Sequence, residues 1–367
     1  FAPPNFPYPM FTVAELPNGE FLVGGRYVNP QGLKGVTDYV AKLTQGGALD
    51  PNFNPPSLNN NVYIVAADQN GKYLVGGAFT GVGGNPALNS IVRLNSDGSL
   101  DTSFVPPNFN APVYTLDVTP NGYVVGGGFT GAGSPQYLAR LTESGSVDTS
   151  FTPPNFNGLV RTVDSLDNGQ LLVGGDFTGP GSGNRLVRLQ QNGNIDTAFN
   201  PPGFNRVIRT AIAVDGGSHY LVGGGFGPGA GVTTYYLTRL NTDGSVDPTF
   251  TPPSLNDWVF DVLQDPNGDY LVGGDFTASG NVPASLVRLQ SSGSVDPTFA
   301  PPVLNDWVAG VNLNSDGTYM IAGAFQQAGS PSGPTFVARL VGGTAAPGAK
   351  ALKSVPGGKA KKYPKPN

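Results

Sequence analysis

The composition of the 367-residue chain excludes several classes of protein before any motif is considered. It contains no cysteine, which excludes disulfides, thiolate metal ligands and thiol chemistry. No run of about 18 apolar residues is present, so we expect no membrane-spanning helix. Only 12% of the residues are charged and the formal net charge is −5, which disfavours a nucleic-acid partner.

The charge is unevenly placed along the chain. The tail, residues 344–367, contains no acid and six lysines: Lys350, Lys353, Lys359, Lys361, Lys362 and Lys365. Because the chain has 20 basic residues in all, 14 remain in the body beside 25 acids. This contrast between an acidic body and a basic tail predicts either a solvated tail or one that docks on an anionic neighbour.

Residues 54–104 show the unit from which the chain is built. They read as four short strands: Val62–Asp68, Tyr73–Phe79, Ile91–Asn95 and Leu100–Phe104. Asn70-Gly71 joins the first two strands and Asp97-Gly98 the last two, and both dipeptides are typical of two-residue hairpin turns with positive φ. A longer Gly-rich loop joins the second strand to the third.

This unit recurs seven times without a gap. A Pro-Pro pair opens each copy, and successive pairs lie 47–52 residues apart by subtraction: Pro3-Pro4, Pro55-Pro56, Pro106-Pro107, Pro153-Pro154, Pro201-Pro202, Pro252-Pro253 and Pro301-Pro302. A Gly pair marks the second strand: Gly24-Gly25, Gly76-Gly77, Gly126-Gly127, Gly174-Gly175, Gly223-Gly224 and Gly273-Gly274, with Ala322-Gly323 in the last copy.

Two further markers belong to the end of the unit. A basic residue before Leu marks the third strand: Lys42, Arg93, Arg140, Arg188, Arg239, Arg288 and Arg339. An Asp-x-x-Phe sequence closes six copies: Asp50/Phe53, Asp101/Phe104, Asp148/Phe151, Asp196/Phe199, Asp247/Phe250 and Asp296/Phe299. A period near 50 residues with four strands per copy predicts an all-β fold, a seven-bladed β-propeller with four-stranded antiparallel blades.

The boundaries follow from the repeat. The propeller is predicted to span residues 1–343, with blades that start near residues 1, 54, 105, 152, 200, 251 and 300. The seventh copy stops at Gly342-Gly343 without an Asp-x-x-Phe, and Phe1 aligns with the last residue of that motif. Thr344–Lys350 or residues upstream of Phe1 would complete blade seven and cover its edge, or the basic tail docks on a neighbour. Because position 1 is not Met, either a leader has been removed or the sequence is a fragment.

Loop lengths predict two different faces. The Asn-Gly and Asp-Gly turns are short and uniform and lie on one side. The Pro-Pro links and the variable loops between second and third strands are predicted on the opposite side, which we call the loop face. Variable loops on a rigid frame are where binding usually occurs.

The repeat also resembles a known family. Asn-Gly followed by Leu-Val-Gly-Gly-x-Phe-Thr, then Arg-Leu-Asn-x-Asp-Gly-Ser-x-Asp-x-x-Phe, resembles the delta-sixty repeats of bacterial propeller proteins. The strand order is similar to that of NHL-type propellers. The resemblance covers residues 1–343 and implies a propeller of an often secreted or surface-associated group, with no catalytic motif to transfer.

Two repeated polar residues are interpreted as structural. The repeated basic residue is expected to pair with the Asp-x-x-Phe carboxylate of its own blade, because a binding site rarely needs seven equal arms. An asparagine follows six Pro-Pro pairs and is expected to cap the link by bonding nearby backbone groups: Asn59, Asn110, Asn157, Asn205, Asn256 and Asn305.

The residues beside this asparagine differ between blades and form the candidate binding set: Tyr8, Arg206, Asp257, Trp258, Asp306 and Trp307. Trp258 and Trp307 are the only two tryptophans. An exposed indole beside a carboxylate suits stacking on a sugar ring or anchoring a protein partner. The alternative is that each indole packs between adjacent blades.

No catalytic or metal-binding set is recognisable. A Ser-His-Asp site would depend on His219, the only histidine, which falls in an inner hairpin. Asp176 and Asp275 lie in non-adjacent blades and do not read as an acid/base pair. The Asp-rich turns lack the closing Glu of an EF-hand. We therefore expect no catalytic residue, no metal and no cofactor.

These observations predict a non-enzymatic structural or interaction module of a secreted, cell-surface or particle assembly. It would bind a protein partner or neighbouring subunit through the loop face and the basic tail. A carbohydrate-binding propeller that uses Trp258 and Trp307 is the alternative, and a glycan-active enzyme is a third hypothesis.

Overall fold

The computed structural model describes residues 1–26, 36–37, 39–130, 136–179, 185–229, 231–326 and 335–341. Within them lie seven antiparallel sheets, one for each repeat. The all-β fold and the seven blades are therefore as predicted. The tail 344–367 and its six lysines lie outside the described residues.

Each blade has an inner, a middle and an outer strand. The inner strands are Met10–Glu15, Val62–Ala67, Val113–Thr119, Val160–Ser165, Ile208–Val214, Val259–Gln264 and Val308–Leu313. The middle strands are Phe21–Gly25, Tyr73–Gly77, Gly122–Gly127, Leu171–Gly175, His219–Gly224, Tyr270–Gly274 and Tyr319–Gln326. The outer strands are Val40–Leu43, Ile91–Leu94, Leu138–Leu141, Leu186–Leu189, Leu237–Asn241, Leu286–Leu289 and Thr335–Leu340. Each inner strand contacts the next, and the seventh contacts the first, so the ring is closed.

The prediction of four-stranded blades is wrong for the described residues. The expected fourth strand is reduced to one isolated bridge, such as Leu94 with Leu100 in blade two. The chain then turns at once, because the Phe104 N–H donates to the Asp101 carbonyl. The Pro-Pro pair that follows has no N–H to extend a ladder. The short strand Val36–Thr37 in blade one pairs with its outer strand but belongs to the preceding loop.

The hairpin turns of blade two differ from the predicted two-residue type. Asp68 N–H donates to the Lys72 carbonyl and Gly71 N–H donates to the Asp68 carbonyl. Gly71 has φ +71°, whereas Asn70 is not in the left-handed region. This is a type I turn closed by a left-handed glycine, the three-residue hairpin loop. The turn between Asn95 and Ser99 has the same pattern of hydrogen bonds.

The Pro-Pro links begin on the turn side, not on the loop face as predicted. In the first six links, the residue before the pair donates its N–H to the outer turn of the following blade, as Val105 does to the Ser144 carbonyl at 2.7 Å. Only the far end of the link, with its asparagine, reaches the loop face. Each of these links is therefore tied to the outer turn of the blade that follows it.

Glycine in the middle strand is required by packing between blades. A Cβ added to Gly223 would lie 2.5 Å from Val259 Cγ1 of the next blade, and one added to Gly273 would lie 2.8 Å from Val308 Cγ1. In the last copy, Ala322 packs instead in a cluster with Met10 of blade one. An unbranched, flexible Met accommodates the additional methyl group at this seam.

The repeated Arg is structural, as predicted, and it also joins adjacent blades. Arg93 Nε lies 2.7 Å from Asp101 Oδ2 within blade two, and Arg93 Nη1 donates to the hydroxyl of Tyr123 in blade three at 2.9 Å. The Phe104 ring packs edge-on against Tyr123. Arg188, Arg239 and Arg288 make the equivalent ion pair and reach the corresponding tyrosine.

Phe1 takes the position predicted from its alignment. Its ring packs edge-on against Phe21 at 5.6 Å, as Phe104 packs on Tyr123. Ala2 N–H donates to the Gly46 carbonyl, the same bond that the other links make. Glu15 of blade one also accepts hydrogen bonds from the N–H and hydroxyl of Ser315 in blade seven. The bonds between Glu15 and Ser315 join the last blade to the first.

Candidate functional site

The repeated asparagines clamp the loop face. Asn59 Oδ1 accepts the Thr80 N–H at 2.8 Å, and Asn59 Nδ2 donates to Thr80 Oγ1 at 3.0 Å. The same pair of bonds links Asn110 to Thr130, Asn157 to Thr178 and Asn256 to Thr277. The asparagines are structural, as expected, but their bonds reach a threonine at the end of the middle strand and not the backbone of the link itself. The clamp holds the entrance of each inner strand against the end of its middle strand, so the residue after the asparagine has a defined place around the channel mouth.

Trp307 lies in the mouth of the channel, on the loop face. Its indole stacks on Phe11 of blade one at 6.0 Å and meets Phe260 of blade six edge-on at 6.1 Å. It is only 7% exposed. The hypothesis of two exposed, coplanar tryptophans is therefore not supported for this residue, which packs between blades.

Trp258 has different surroundings because glycine faces it. A Cβ on Gly225 of blade five would lie 2.9 Å from Trp258 Cε2, so the indole rests directly on that backbone. The Arg209 guanidinium lies 4.9 Å from the centre of the indole ring, within cation–π range. Trp258 remains half-buried. In blade six the residue that corresponds to Gly225 is Asp275, and Trp307 turns into the mouth instead.

The other predicted residues surround these indoles. Asp257 accepts the N–H of Trp258, and Asp306 accepts the N–H of Trp307, both at 2.8 Å. Arg206 is exposed and Tyr8 is 45% exposed. The backbone places Arg206 close to Gly225, because the carbonyl of the next residue, Val207, accepts the Gly225 N–H at 2.9 Å.

An aromatic floor closes the mouth of the channel, and sequence reasoning missed it. We define this floor as Phe11, Tyr63, Tyr114, Trp258, Phe260 and Trp307. The rings contact one another in series, with Tyr63 stacked on Tyr114 at 5.2 Å and tilted against Phe11 at 5.9 Å. Burial raises the pKa of Tyr63, which keeps this phenol neutral. Tyr114 and Trp258 are the half-buried members.

A visible signal for the floor was present in the repeat. Four of its members occupy the second position of an inner strand, where other blades carry Arg161, Arg209 and Ala309. Arg161 Nη2 pairs with Asp176 Oδ2 at 2.7 Å, and the Arg161 guanidinium carbon lies 4.6 Å from the Tyr114 ring centre. An alignment of the seven copies by column would have revealed this ring of large side chains.

The described neighbours of His219 lack the geometry of a nucleophilic triad. Its Nδ1 lies 3.0 Å from Asp215 Oδ2 and 3.1 Å from Ser218 Oγ, and its Nε2 lies 3.8 Å from Asp247 Oδ2, beyond hydrogen-bond distance. A triad needs the serine and the carboxylate hydrogen-bonded to opposite ring nitrogens. Among the described residues, no three His, Cys, Asp or Glu side chains are grouped to hold a metal ion. No helix in the described parts of the chain is long and apolar enough to cross a membrane.

The described loop face also has a shallow depression away from the floor. It lies on blade two, has a volume of about 260 Å³ and is lined by Ser57, Leu58, Asn59, Thr80, Gly81, Gly84 and Pro86. Four floor members, Phe11, Tyr63, Phe260 and Trp307, are at most 7% exposed. Within the described residues, the floor therefore closes the mouth and leaves two of its rings, Tyr114 and Trp258, partly accessible.

Solved structures share the fold at low sequence identity. The WD40 β-propeller domain of Doa1 aligns with a TM-score of 0.57 and 13% identity over 88% of this chain and 92% of that chain. The computationally designed Ika8 protein aligns with a TM-score of 0.53 and 10% identity, over 89% and 82%. An extracellular domain assigned to a one component system of B. thetaiotaomicron aligns with a TM-score of 0.55 and 13% identity, over 91% of this chain and 38% of that chain.

The family comparison agrees with the repeat. No curated protein matches the chain. A family model described as a domain of unknown function (DUF5122) beta-propeller matches residues 69–104, 119–151, 166–199, 219–250 and 266–299. These matches fall on five successive repeats and contain the Asn-Gly, Gly-Gly and Asp-x-x-Phe markers. The chain is therefore a member of the delta-sixty repeat family of bacterial β-propellers.

Proposed function

We propose that this propeller is a non-enzymatic binding module of an extracellular or cell-surface assembly, and that it recognises its partner through the loop face. One observation carries the proposal. The structural bonds of the blades repeat around the ring, whereas the side chains that follow the clamped asparagines differ from blade to blade. Bonds that only hold the blades together do not require different side chains at these positions, whereas recognition of one partner does.

The surface chemistry of the mouth supports recognition. Tyr8, Tyr114 and Trp258 expose aromatic surface there, and Arg206 exposes a cation. Tyr, Trp and Arg are the residues that most often dominate the energy of protein interfaces. The turn face presents instead the short loops that repeat from blade to blade.

The absence of cysteine allows a direct test of which face binds. Ser96→Cys places a single thiol on the turn face, and Ala87→Cys places one on the loop face, since both positions are exposed. Each variant is coupled to a sensor through its thiol and is exposed to cell-surface extract and to a panel of defined oligosaccharides. The Ser96→Cys variant is held by its turn face (the turn-anchored chain) and leaves its loop face free, whereas the Ala87→Cys variant is held by its loop face (the loop-anchored chain). The turn-anchored chain should bind a component that the loop-anchored chain does not. Equal binding in both orientations, or binding by the loop-anchored chain alone, contradicts the proposal.

The basic tail is proposed as a second contact. Its six lysines and the acidic body favour docking on an anionic neighbour. A chain that ends at Gly343 should keep its thermal unfolding profile but should form assemblies with fewer subunits, as counted by native mass spectrometry. An unchanged number of subunits rejects this role for the tail.

A further inference from the structure

Blade five has glycine at two positions of one short stretch, of which the first is also glycine in blade three, as Gly128. Middle strands end in Gly-Gly-x-Phe-Thr in blades two, three, four and six, but blade five reads Gly223 to Gly227 as Gly-Gly-Gly-Phe-Gly. Gly227 replaces the threonine whose hydroxyl completes the clamp elsewhere. Asn205 still accepts the Gly227 N–H at 3.0 Å. The clamp has thus lost one of its side-chain partners.

Both glycines are covered by aromatic rings. Trp258 of blade six rests on Gly225, where an added Cβ would lie 2.9 Å from the indole. Tyr235 of blade five rests on Gly227, where an added Cβ would lie 3.3 Å from its ring. Because two residues span at most about 7 Å, the two rings rest on neighbouring points of the same backbone. The missing side chains make room for a pair of rings.

The rings remain accessible and polar groups flank them. Tyr235 is 48% exposed and Trp258 is half-buried. Arg206 lies between Asn205 and Val207, which accept the N–H groups of Gly227 and Gly225. The backbone of Arg206 is therefore anchored next to the stretch on which both rings rest, and its side chain is exposed. Asp257 precedes Trp258, and its Oδ1 accepts the Trp258 N–H at 2.8 Å. We call Arg206, Asp257, Tyr235 and Trp258 the blade-five patch.

We propose that the blade-five patch binds an oligosaccharide. This proposal rests on the proposed function of the loop face and adds the class of ligand. The apolar face of a pyranose ring stacks on an indole or phenol ring without needing a deep pocket. Arg206 donates hydrogen bonds to ring hydroxyl or carboxylate oxygens, and Asp257 accepts hydrogen bonds from hydroxyls. Two rings on one backbone stretch match successive units of a linear glycan.

This assignment differs from a site built on two tryptophans. Trp307 is buried in the floor and takes no part, and Tyr235 supplies the second ring. A peptide is the competing occupant, and its apolar side chains bind best in well-packed, desolvated pockets. The patch offers open ring surfaces with donors and acceptors at their edges, which favours the sugar.

The probe is an array of defined neutral and uronate-containing oligosaccharides, followed by titration of the best binder. Trp307→Phe leaves Trp258 as the sole tryptophan, so its fluorescence reports on the patch. We expect a change in this emission on binding. Tyr235→Ala should weaken the affinity about tenfold, as expected for loss of one stacked ring. Arg206→Gln should weaken binding of uronate-containing ligands more than of neutral ones.

Gly227→Thr separates binding from folding. It restores the residue of the other blades and the hydroxyl partner of Asn205, but its side chain displaces Tyr235. We expect unfolding at the same or a higher temperature together with about tenfold weaker binding. Val105→Ala removes an exposed apolar side chain from the turn side, outside the loop face, and should leave the affinity unchanged.

Each outcome decides between the two levels of the proposal. If no oligosaccharide binds while the turn-anchored chain captures a protein, the glycan assignment is wrong and the loop-face function stands. Capture of a peptide ligand by the patch also rejects the glycan. If an oligosaccharide binds but Tyr235→Ala and Gly227→Thr leave its affinity unchanged, the patch is not the site. If neither orientation captures anything, the loop-face function fails as well.

Discussion

The hydroxyl of Tyr123 in blade three accepts a hydrogen bond from Arg93 in blade two at 2.9 Å. The same hydroxyl donates to Asp68 Oδ2 of blade two at 2.9 Å. Tyr123 is 2% exposed and Arg93 is 6% exposed, so this relationship between two blades is sheltered from water. Tyr270 and Tyr319 join an arginine and an aspartate of the preceding blade in the same way.

Tyr123→Phe tests the strength of this bond between blades. Removal of the hydroxyl leaves buried groups of Arg93 and Asp68 without their partner, which should lower the free energy of unfolding by about 1–3 kcal/mol. Urea unfolding followed by circular dichroism measures the change. Tyr235→Phe, which removes an exposed hydroxyl, is the matched control and should have no effect. Equal stability of the two variants would contradict the structural role.

The Asp-x-x-Phe carboxylates should make stability depend on pH. Burial opposes ionisation of Asp101, but hydrogen bonds from Lys72, Ser103 and Arg93 outweigh it and hold the pKa below its usual value of 3.8. A carboxyl with a lowered folded-state pKa contributes stability above its unfolded pKa and loses it as the pH falls. Asp50, Asp148, Asp196, Asp247 and Asp296 have pKa values lowered in the same direction.

We therefore expect the free energy of unfolding to be nearly constant from pH 7 to 5 and to fall below about pH 4. Asp101→Asn should be less stable than the parent at pH 7, and the difference should shrink in acid, because the parent loses the same ionised group. Chemical unfolding at several pH values measures this convergence. A constant difference across the range would show that the charge of Asp101 does not contribute.

Gly223→Ala tests the packing between blades five and six. The new Cβ would lie 2.5 Å from Val259 Cγ1, and overpacking of this kind costs about 1–3 kcal/mol. Thermal unfolding should shift downward, and a second change, Val259→Ala, should recover part of the loss because it removes the clashing methyl groups. Gly179→Ala is the control, since nothing lies within 4 Å of its added Cβ. Similar effects at both glycines would contradict the packing argument.

The two indoles should report different surroundings. Trp307→Phe leaves Trp258, which is half-buried, and Trp258→Phe leaves Trp307, which is 7% exposed. Quenching by acrylamide should therefore be stronger in the first variant, and its emission should lie at longer wavelength. The reverse order would mean that the floor does not enclose Trp307.

Several features of the fold were readable in the sequence because they repeat. Six Gly pairs and one Ala-Gly, each with a third-strand basic residue, predict seven blades, and the spacing of Arg93 and Asp101 predicts their ion pair. The preference of Asn for bonding nearby backbone predicted a structural asparagine, although its partner is the threonine at the end of the middle strand. In each case the interacting residues lie in one repeat, so their separation along the chain sets their separation in space.

The tertiary structure decided what depends on neighbouring blades. Trp258 and Trp307 follow the same Asn-Asp pattern, yet Trp258 lies on Gly225 and Trp307 packs among Phe11 and Phe260, because the blades they meet present different side chains. Tyr123 joins the Arg93–Asp101 pair from the next blade, and the fourth strand ends at one bridge because the chain leaves to reach the next outer turn. The sequence by itself determined the repeating unit and its local bonds. Only the closed ring determined which residues from separate repeats meet, since those contacts join positions that no single repeat contains.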